Sequence, residues 1–211
     1  MQEQEKLFNS FVIIAGCGAL GQAYAQSFAR LGTGNIFIYD PDVFEETNFN
    51  RQIFSTSSNI GLSKAEETKK ALEKINPDLN YHIFKNHIED DSFLLSLKNS
   101  CIAVDALDNF KSRIYLEKAC KELNKPLLHS AINGHTGQMR LIFPGDDFLK
   151  KNYSKIENKN IETKNYFSSV MMICSFVSFQ VLNFLLGRKE KIRKGLVFFD
   201  LENFDFFEEE I

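Results

Sequence analysis

Three clusters of residues have the types and spacing to handle a polyphosphate. Gly16-Cys17-Gly18-Ala19-Leu20-Gly21 follows directly on the apolar run Phe11 to Ala15. A strand that runs through glycines at the first, third and sixth positions into a helix leaves bare backbone N–H groups at the helix N-terminus, where a phosphate can approach. Asp40 falls nineteen residues after Gly21, the spacing at which an acidic side chain receives ribose hydroxyls. The polar stretch behind it carries Asp42, Asn48, Arg51 and Gln52, and Lys64 opens the next helical pattern. Arg supplies a planar fork for phosphate oxygens and Lys a compact neutralising charge, which hydride transfer does not require. The third cluster, Val104 to Arg113, contains Asp105, Asp108 and Asn109. Asp108 suits a magnesium ion that bridges phosphates, since Mg²⁺ takes one or two carboxylates plus substrate oxygens. Asp105 reads as a cap for the helix that begins near Phe110.

These residues need a scaffold, and the pattern supplies one. Strand candidates at 11–15, 35–40, 80–84, 101–105 and 126–130 alternate with helix candidates at 19–31, 63–75, 91–97 and 110–123. Such alternation implies an α/β fold: a Rossmann-like, mainly parallel sheet with helices on both faces. Further strands at 138–143, 195–201 and 204–208, with a long helix at 166–186, imply an antiparallel C-terminal extension. The Lys- and Asn-rich segment 146–165 reads as an exposed crossing loop. The 21 phenylalanines read as core filling. With 211 residues, 44% of them hydrophobic, the chain suits one well-filled core, a single domain over 1–211.

Charge and cysteine usage narrow the class. A net charge of -3 supplies no basic field for nucleic acid or an anionic membrane. Cys17, Cys101, Cys120 and Cys174 form no C-x-x-C pair, so neither a disulfide framework nor zinc is expected, and a cytoplasmic setting fits. Cys17 and Cys174 read as packing residues. The polar N-terminus has no signal-like apolar region, and the apolar stretch 167–186, broken by serines, Gln180 and Asn183, is expected to be a buried helix, not a membrane span. Of the four histidines, all read as structural or surface, only His135, in Asn133-Gly134-His135, is a candidate for contact with a ligand.

The chain resembles the ThiF/MoeB/HesA superfamily, bacterial relatives of the ubiquitin-activating enzymes. The resemblance rests on Gly16-x-Gly18-x-x-Gly21, Asp40-x-Asp42, Asn48-x-Asn50-Arg51-Gln52, Gly61-x-x-Lys64 and Asp105-x-x-Asp108-Asn109-x-x-x-Arg113, and is strongest from Phe11 to Gly145. It implies adenylation of a protein C-terminus by ATP. Gly16, Gly18 and Gly21 would cradle phosphate and Asp40, with Asp42, the ribose. Asn48, Arg51, Gln52, Lys64 and Asn109 would contact ATP, and Asp108 would position Mg²⁺. The implied partner is a small ubiquitin-like sulfur carrier ending in Gly-Gly, most simply for thiamine thiazole synthesis. Molybdopterin carrier activation, ATP-dependent tRNA base dehydration and a non-catalytic binding module are the alternatives. The segment before the first strand is short for the family and has no arginine before Arg30. That leaves the family's homodimer, in which such an arginine reaches the partner's site, as an open expectation.

Overall fold

The computed structural model describes residues 2–154 and 164–210. Along the chain run α1 (Gln2–Phe8), β1 (Phe11–Ala15), α2 (Ala19–Leu31), β2 (Asn35–Tyr39), α3 (Lys64–Ile75), β3 (Asn80–Phe84), α4 (Asp91–Asn99), β4 (Ile102–Asp105) and α5 (Phe110–Glu122). They are followed by β5 (Leu127–Asn133), β6 (Thr136–Ile142), α6 (Phe148–Tyr153), α7 (Phe167–Leu186), β7 (Leu196–Asp200) and β8 (Asp205–Glu209). All eight strands join one sheet in the order β3-β2-β1-β4-β5-β6-β7-β8. The first five pair in parallel, and β6, β7 and β8 continue the sheet antiparallel.

The alternation of β1 divides the interior. Val12 and Ile14 point into a layer filled by Tyr24 and Phe28 of α2, Leu72 of α3 and Val170, Ile173 and Val177 of α7. Ile13 and Ala15 point the other way, towards Phe93 and Leu97 of α4, Leu116 of α5 and Phe148 and Leu149 of α6. A strand covered on both faces is apolar throughout, which is why Phe11-Val-Ile-Ile-Ala15 shows no polar alternation. Local signals mark the helix ends: Ser63, Asp90 and Asn109 accept backbone N–H groups at the starts of α3, α4 and α5. Gly32 closes α2 at φ +81°, a left-handed conformation that favours glycine.

Several sequence expectations are corrected. Residues 2–8 form a helix that the sequence pattern, whose first element begins at residue 11, did not include. Leu7 is buried, the Leu7 carbonyl accepts from Gly34 N at 3.0 Å, and Arg188 ties Glu3 at 2.6 Å. Segment 146–165 does not begin as a loop: Phe148 and Leu149 are buried, and the Glu117 carboxylate accepts from the backbone N–H groups of Leu149 and Lys150, starting α6. The rest of that expected loop, 155–163, lies outside the described residues. The β5 and β6 strands run further than expected, into a tight turn at Gly134-His135. Helix α7 is long and apolar enough to cross a membrane by length and composition alone. In this fold Val170, Ile173, Val177 and Val181 face the core, with Ser169, Gln180 and Asn183 also buried. Nor do all phenylalanines fill the core, since Phe204, Phe206 and Phe207 are exposed at the β8 edge.

Glycine spacing shapes the turn after β1. Gly16 has φ +95°, and a Cβ there would sit 2.7 Å from the Ala106 carbonyl oxygen at the end of β4. A Cβ on Gly21 would collide with the Gly16 carbonyl oxygen, whereas Gly18 has nothing within 4 Å of its Cβ position. Gly21→Ala is therefore expected to cost at least about 3 kcal/mol, and Gly18→Ala no more than about 1 kcal/mol. Urea denaturation of the two variants beside the parent protein measures the difference.

Candidate nucleotide-binding site

The strand order reverses between β1 and β4, which leaves a crevice at their C-terminal ends where ligands of open α/β sheets collect. The glycine turn after β1 forms one wall and the β4–α5 loop the other, stitched together by Ala106 N donating to Ala15 O at 2.9 Å. Gly18 precedes the first turn of α2, and its own position makes no side-chain cap. The first N–H groups of that helix have no intrahelical acceptor, and the open space at Gly18 gives an anion access to them.

Asp40 stands at the end of β2 and turns its carboxylate inward. Oδ2 accepts from Cys17 N at 2.6 Å and Oδ1 from Asp42 N at 2.8 Å. Burial raises its pKa above the usual carboxylate range, opposed by those two donors and by the Lys64 charge. Lys64 reaches this point because the chain from Asp42 to Lys64 doubles back on itself. Val43 and Ser63 form a β-bridge, Phe44 and Leu62 pair their backbones, and Lys64 N donates to Asp42 O at 3.0 Å. The Lys64 ammonium then lies 2.9 Å from Asp42 Oδ2, its own side chain only 10% exposed against 60% for Asp42. A nearly buried ammonium beside an exposed carboxylate places a positive charge close to Asp40 and the glycine turn.

Other expected site residues are brought near but differently engaged. Asn48 is buried and forms a reciprocal cap with Glu45 over the short 3₁₀ turn Glu46–Asn48. Arg51 donates to Thr47 O at 2.7 Å and Asn50 Oδ1 at 2.9 Å, so its guanidinium folds back on its own loop. Gln52 accepts from Gln22 at 2.9 Å. Asp108 is exposed beyond β4 and accepts from Asn109 at 3.4 Å. The helix cap is Asn109, whose Oδ1 accepts from Ser112 N at 2.8 Å, not Asp105. Asp105 is fully buried and accepts from Leu107 N, so it cannot serve α5. Among the described residues no group of three or more His, Cys, Asp or Glu is arranged to hold a metal. One exposed carboxylate beside a phosphate-accessible helix end does fit the way Mg²⁺ is held on a nucleotide.

Sequence reasoning missed Gln22. This wholly buried side chain donates to Cys17 O and Gln52 Oε1 and accepts from Phe54 N, tying the glycine turn to the Asn48–Gln52 loop. Its only signal was an amide one residue past the last motif glycine. Cys17 is buried, its Sγ 3.2 Å from Thr68 Oγ1, and burial pushes its thiol far up. It packs, as expected. Cys174 is likewise buried, beside Ser178, its thiol pushed up to about 11. At the rim, His135 stacks on Tyr166 with centroids 4.4 Å apart, and Asn165 accepts from Asn50 and Gly134 N.

Comparison with known proteins matches the family model "ThiF family" over residues 1–211. The chain is 34% identical over 161 residues to a probable molybdopterin-synthase adenylyltransferase of Porphyra purpurea, covering 76% of this chain and 42% of that one. It is 31% identical over 141 residues to the SAMP-activating enzyme E1 of Haloferax volcanii, covering 67% and 52%. With the molybdopterin-synthase adenylyltransferase of Haemophilus influenzae it shares 29% over 159 residues, covering 75% and 65%. The chain thus spans between about two fifths and two thirds of the length of these relatives. Crystal structures of E. coli MccB and of PaaA share the fold, with TM-scores of 0.82 and 0.83 at 21% and 19% identity, covering 66% and 75% of those chains. A whole-length family match and a glycine turn, acidic strand end and helical lysine in the positions the motifs require agree: the chain belongs to the ThiF family.

Proposed function

We propose that the protein adenylates the C-terminal carboxylate of a small ubiquitin-like carrier with ATP. A carboxylate oxygen of the terminal glycine attacks the α-phosphorus, the bond to the bridging oxygen breaks, and an acyl-adenylate and pyrophosphate result. The observation that carries this reading is the crevice itself: an open approach at Gly18 to the α2 N-terminus, with the Lys64 ammonium and the Asp40 carboxylate converging beside it. The reaction asks for in-line positioning and charge neutralisation and needs no side-chain nucleophile, which agrees with a buried, protonated Cys17.

In this reading Asp40 holds the ribose hydroxyls and Lys64 lies against the phosphates, with Asp42 as its counter-charge. Arg51 swings from Thr47 and Asn50 towards the triphosphate. Asn48 and Gln52 shape their loop against it, and Asn109 holds the start of α5 beside it. Asp108 would hold Mg²⁺, which neutralises charge building on the departing pyrophosphate. The names of the relatives point to the carrier of molybdopterin synthase, so that class of Gly-Gly sulfur carrier is the first to test. The thiazole carrier expected from the sequence is the second. A cytoplasmic setting and a homodimer accord with this chemistry and remain part of the proposal.

Pyrophosphate exchange into ATP, measured with and without a carrier ending in Gly-Gly, tests the reading. Carrier-dependent exchange is expected, and tight ATP binding without exchange for either carrier would overturn it. Lys64→Ala and Arg51→Ala are each expected to slow exchange by about 100-fold or more, measured at saturating ATP. Gly18→Ala should retain the fold and weaken ATP binding, read by calorimetric titration, because its methyl group would occupy the anion's approach.

A further inference from the structure

The loop that carries Asp108 is gripped from behind. Leu107, the residue before it, has both backbone groups engaged: its N–H donates to Asp105 Oδ1 at 2.9 Å and its carbonyl accepts from Arg113 Nη2. Asp105 and Arg113 face one another, Nε to Oδ2 at 3.3 Å, with the carboxylate side chain fully buried and the guanidinium side chain 10% exposed. Asp105 Oδ2 also lies 2.7 Å from Nδ1 of His129 on β5. That imidazole is wholly buried, and burial lowers its pKa against the pull of Asp105. A neutral ring that donates from Nδ1 presents Nε2 as an acceptor.

The Tyr153 hydroxyl, at the end of α6, stands 3.1 Å from that Nε2, and the Gln138 amide of β6 donates to the Tyr153 oxygen. The Gln138 amide also lies 3.3 Å from His129 Nε2, so Gln138 and Tyr153 both meet that acceptor, and the bonds lead from the pair through His129 to the Asp105 carboxylate that holds Leu107. In a low-dielectric interior, hydrogen bonds aligned in this sense polarise one another. Stability alone does not account for the arrangement, because a buried ion pair is on average no more stabilising than apolar side chains of the same volume. Its product is geometry: three elements, β5, β6 and α6, converge on one backbone residue beside Asp108.

We propose that His129 and Tyr153 are positioning residues for Asp108, locking the Asp105–Arg113 pair and through Leu107 the direction in which the Asp108 carboxylate meets a divalent cation on the nucleotide. The inference rests on the reading above that Asp108 holds the magnesium of ATP. It is separable from turnover, because it concerns the gain in ATP affinity that Mg²⁺ brings.

Calorimetric titration of ATP with and without Mg²⁺ tests it, on the full chain and without carrier. Tyr153→Phe and His129→Leu are each expected to reduce the Mg²⁺-dependent gain roughly tenfold, as losing a group that orients a metal ligand does. Affinity for metal-free ATP should stay within about twofold of the parent, which a general loosening of the fold would not allow. His129→Asn, whose amide can still donate to Asp105 but gives up the bond to Tyr153, should recover only part of the gain lost in His129→Leu. Where His129→Leu fails to fold, Tyr153→Phe, which removes one hydroxyl, decides. An unchanged gain in folded Tyr153→Phe, beside a lost gain in Asp108→Asn, overturns the positioning role and leaves the Asp108 reading intact. A gain that survives Asp108→Asn overturns both. Carrier-dependent exchange is judged separately, so failure of the adenylation reading does not imitate either result.

Discussion

Backbone touches backbone where the turn after β1 meets the end of β4. Gly16 and Gly21 leave no room for a side chain between the glycine turn, Ala106 and the first turn of α2. That contact sets the distance between the two walls of the crevice, and so between the α2 N-terminus and the loop carrying Asp108. A single methyl group at Gly21 would have to displace a helix from a strand, a far larger rearrangement than most substitutions demand. Gly18, whose neighbourhood is open, is the member of the set left free for a ligand. Within one short motif, two glycines serve packing and one serves access.

Around this contact the fold buries several polar groups that each hold a loop. Asp40 secures Cys17 and Asp42, Gln22 secures the Gln52 loop, and Asp105 with Arg113 secures Leu107. A buried polar group is costly when half satisfied and rigid when its partners are all in place. Loops otherwise tend to be the mobile part of an α/β fold. Here three of them are anchored to the sheet or to α2 by side chains that the apolar layers enclose, which lets loops present Arg51 and Asp108, and the loop before α3 deliver Lys64, from defined positions.

The legible part of the site was its motif glycines, acids and bases, because their roles depend on residue type and on a spacing that one strand and one turn impose. Asp40 falls at the end of a strand of five residues, and Lys64 at the start of a helix that Ser63 caps, both foreseeable from local pattern. His129 and Tyr153 were not foreseeable. They lie 24 residues apart on elements that meet only across the sheet, and nothing in either local stretch separates a histidine that bonds to a buried carboxylate from one that faces water. Helix α1 escaped notice for a related reason: its seven residues contain two apolar ones, Leu7 and Phe8, too few to set a period.

The amino-acid order by itself determined the alternation of strand and helix, the glycine turn, the acidic strand end and the family, since each depends on neighbours within a few residues. Tertiary structure decided the rest. It assigned the cap of α5 to Asn109 and drew Asp105 into the interior, because a carboxylate at the end of a central strand is enclosed once helices cover both faces. Only there do Arg113 and His129 come within hydrogen-bond reach of it, and a hydrogen bond between residues 24 positions apart leaves no periodic trace in the sequence.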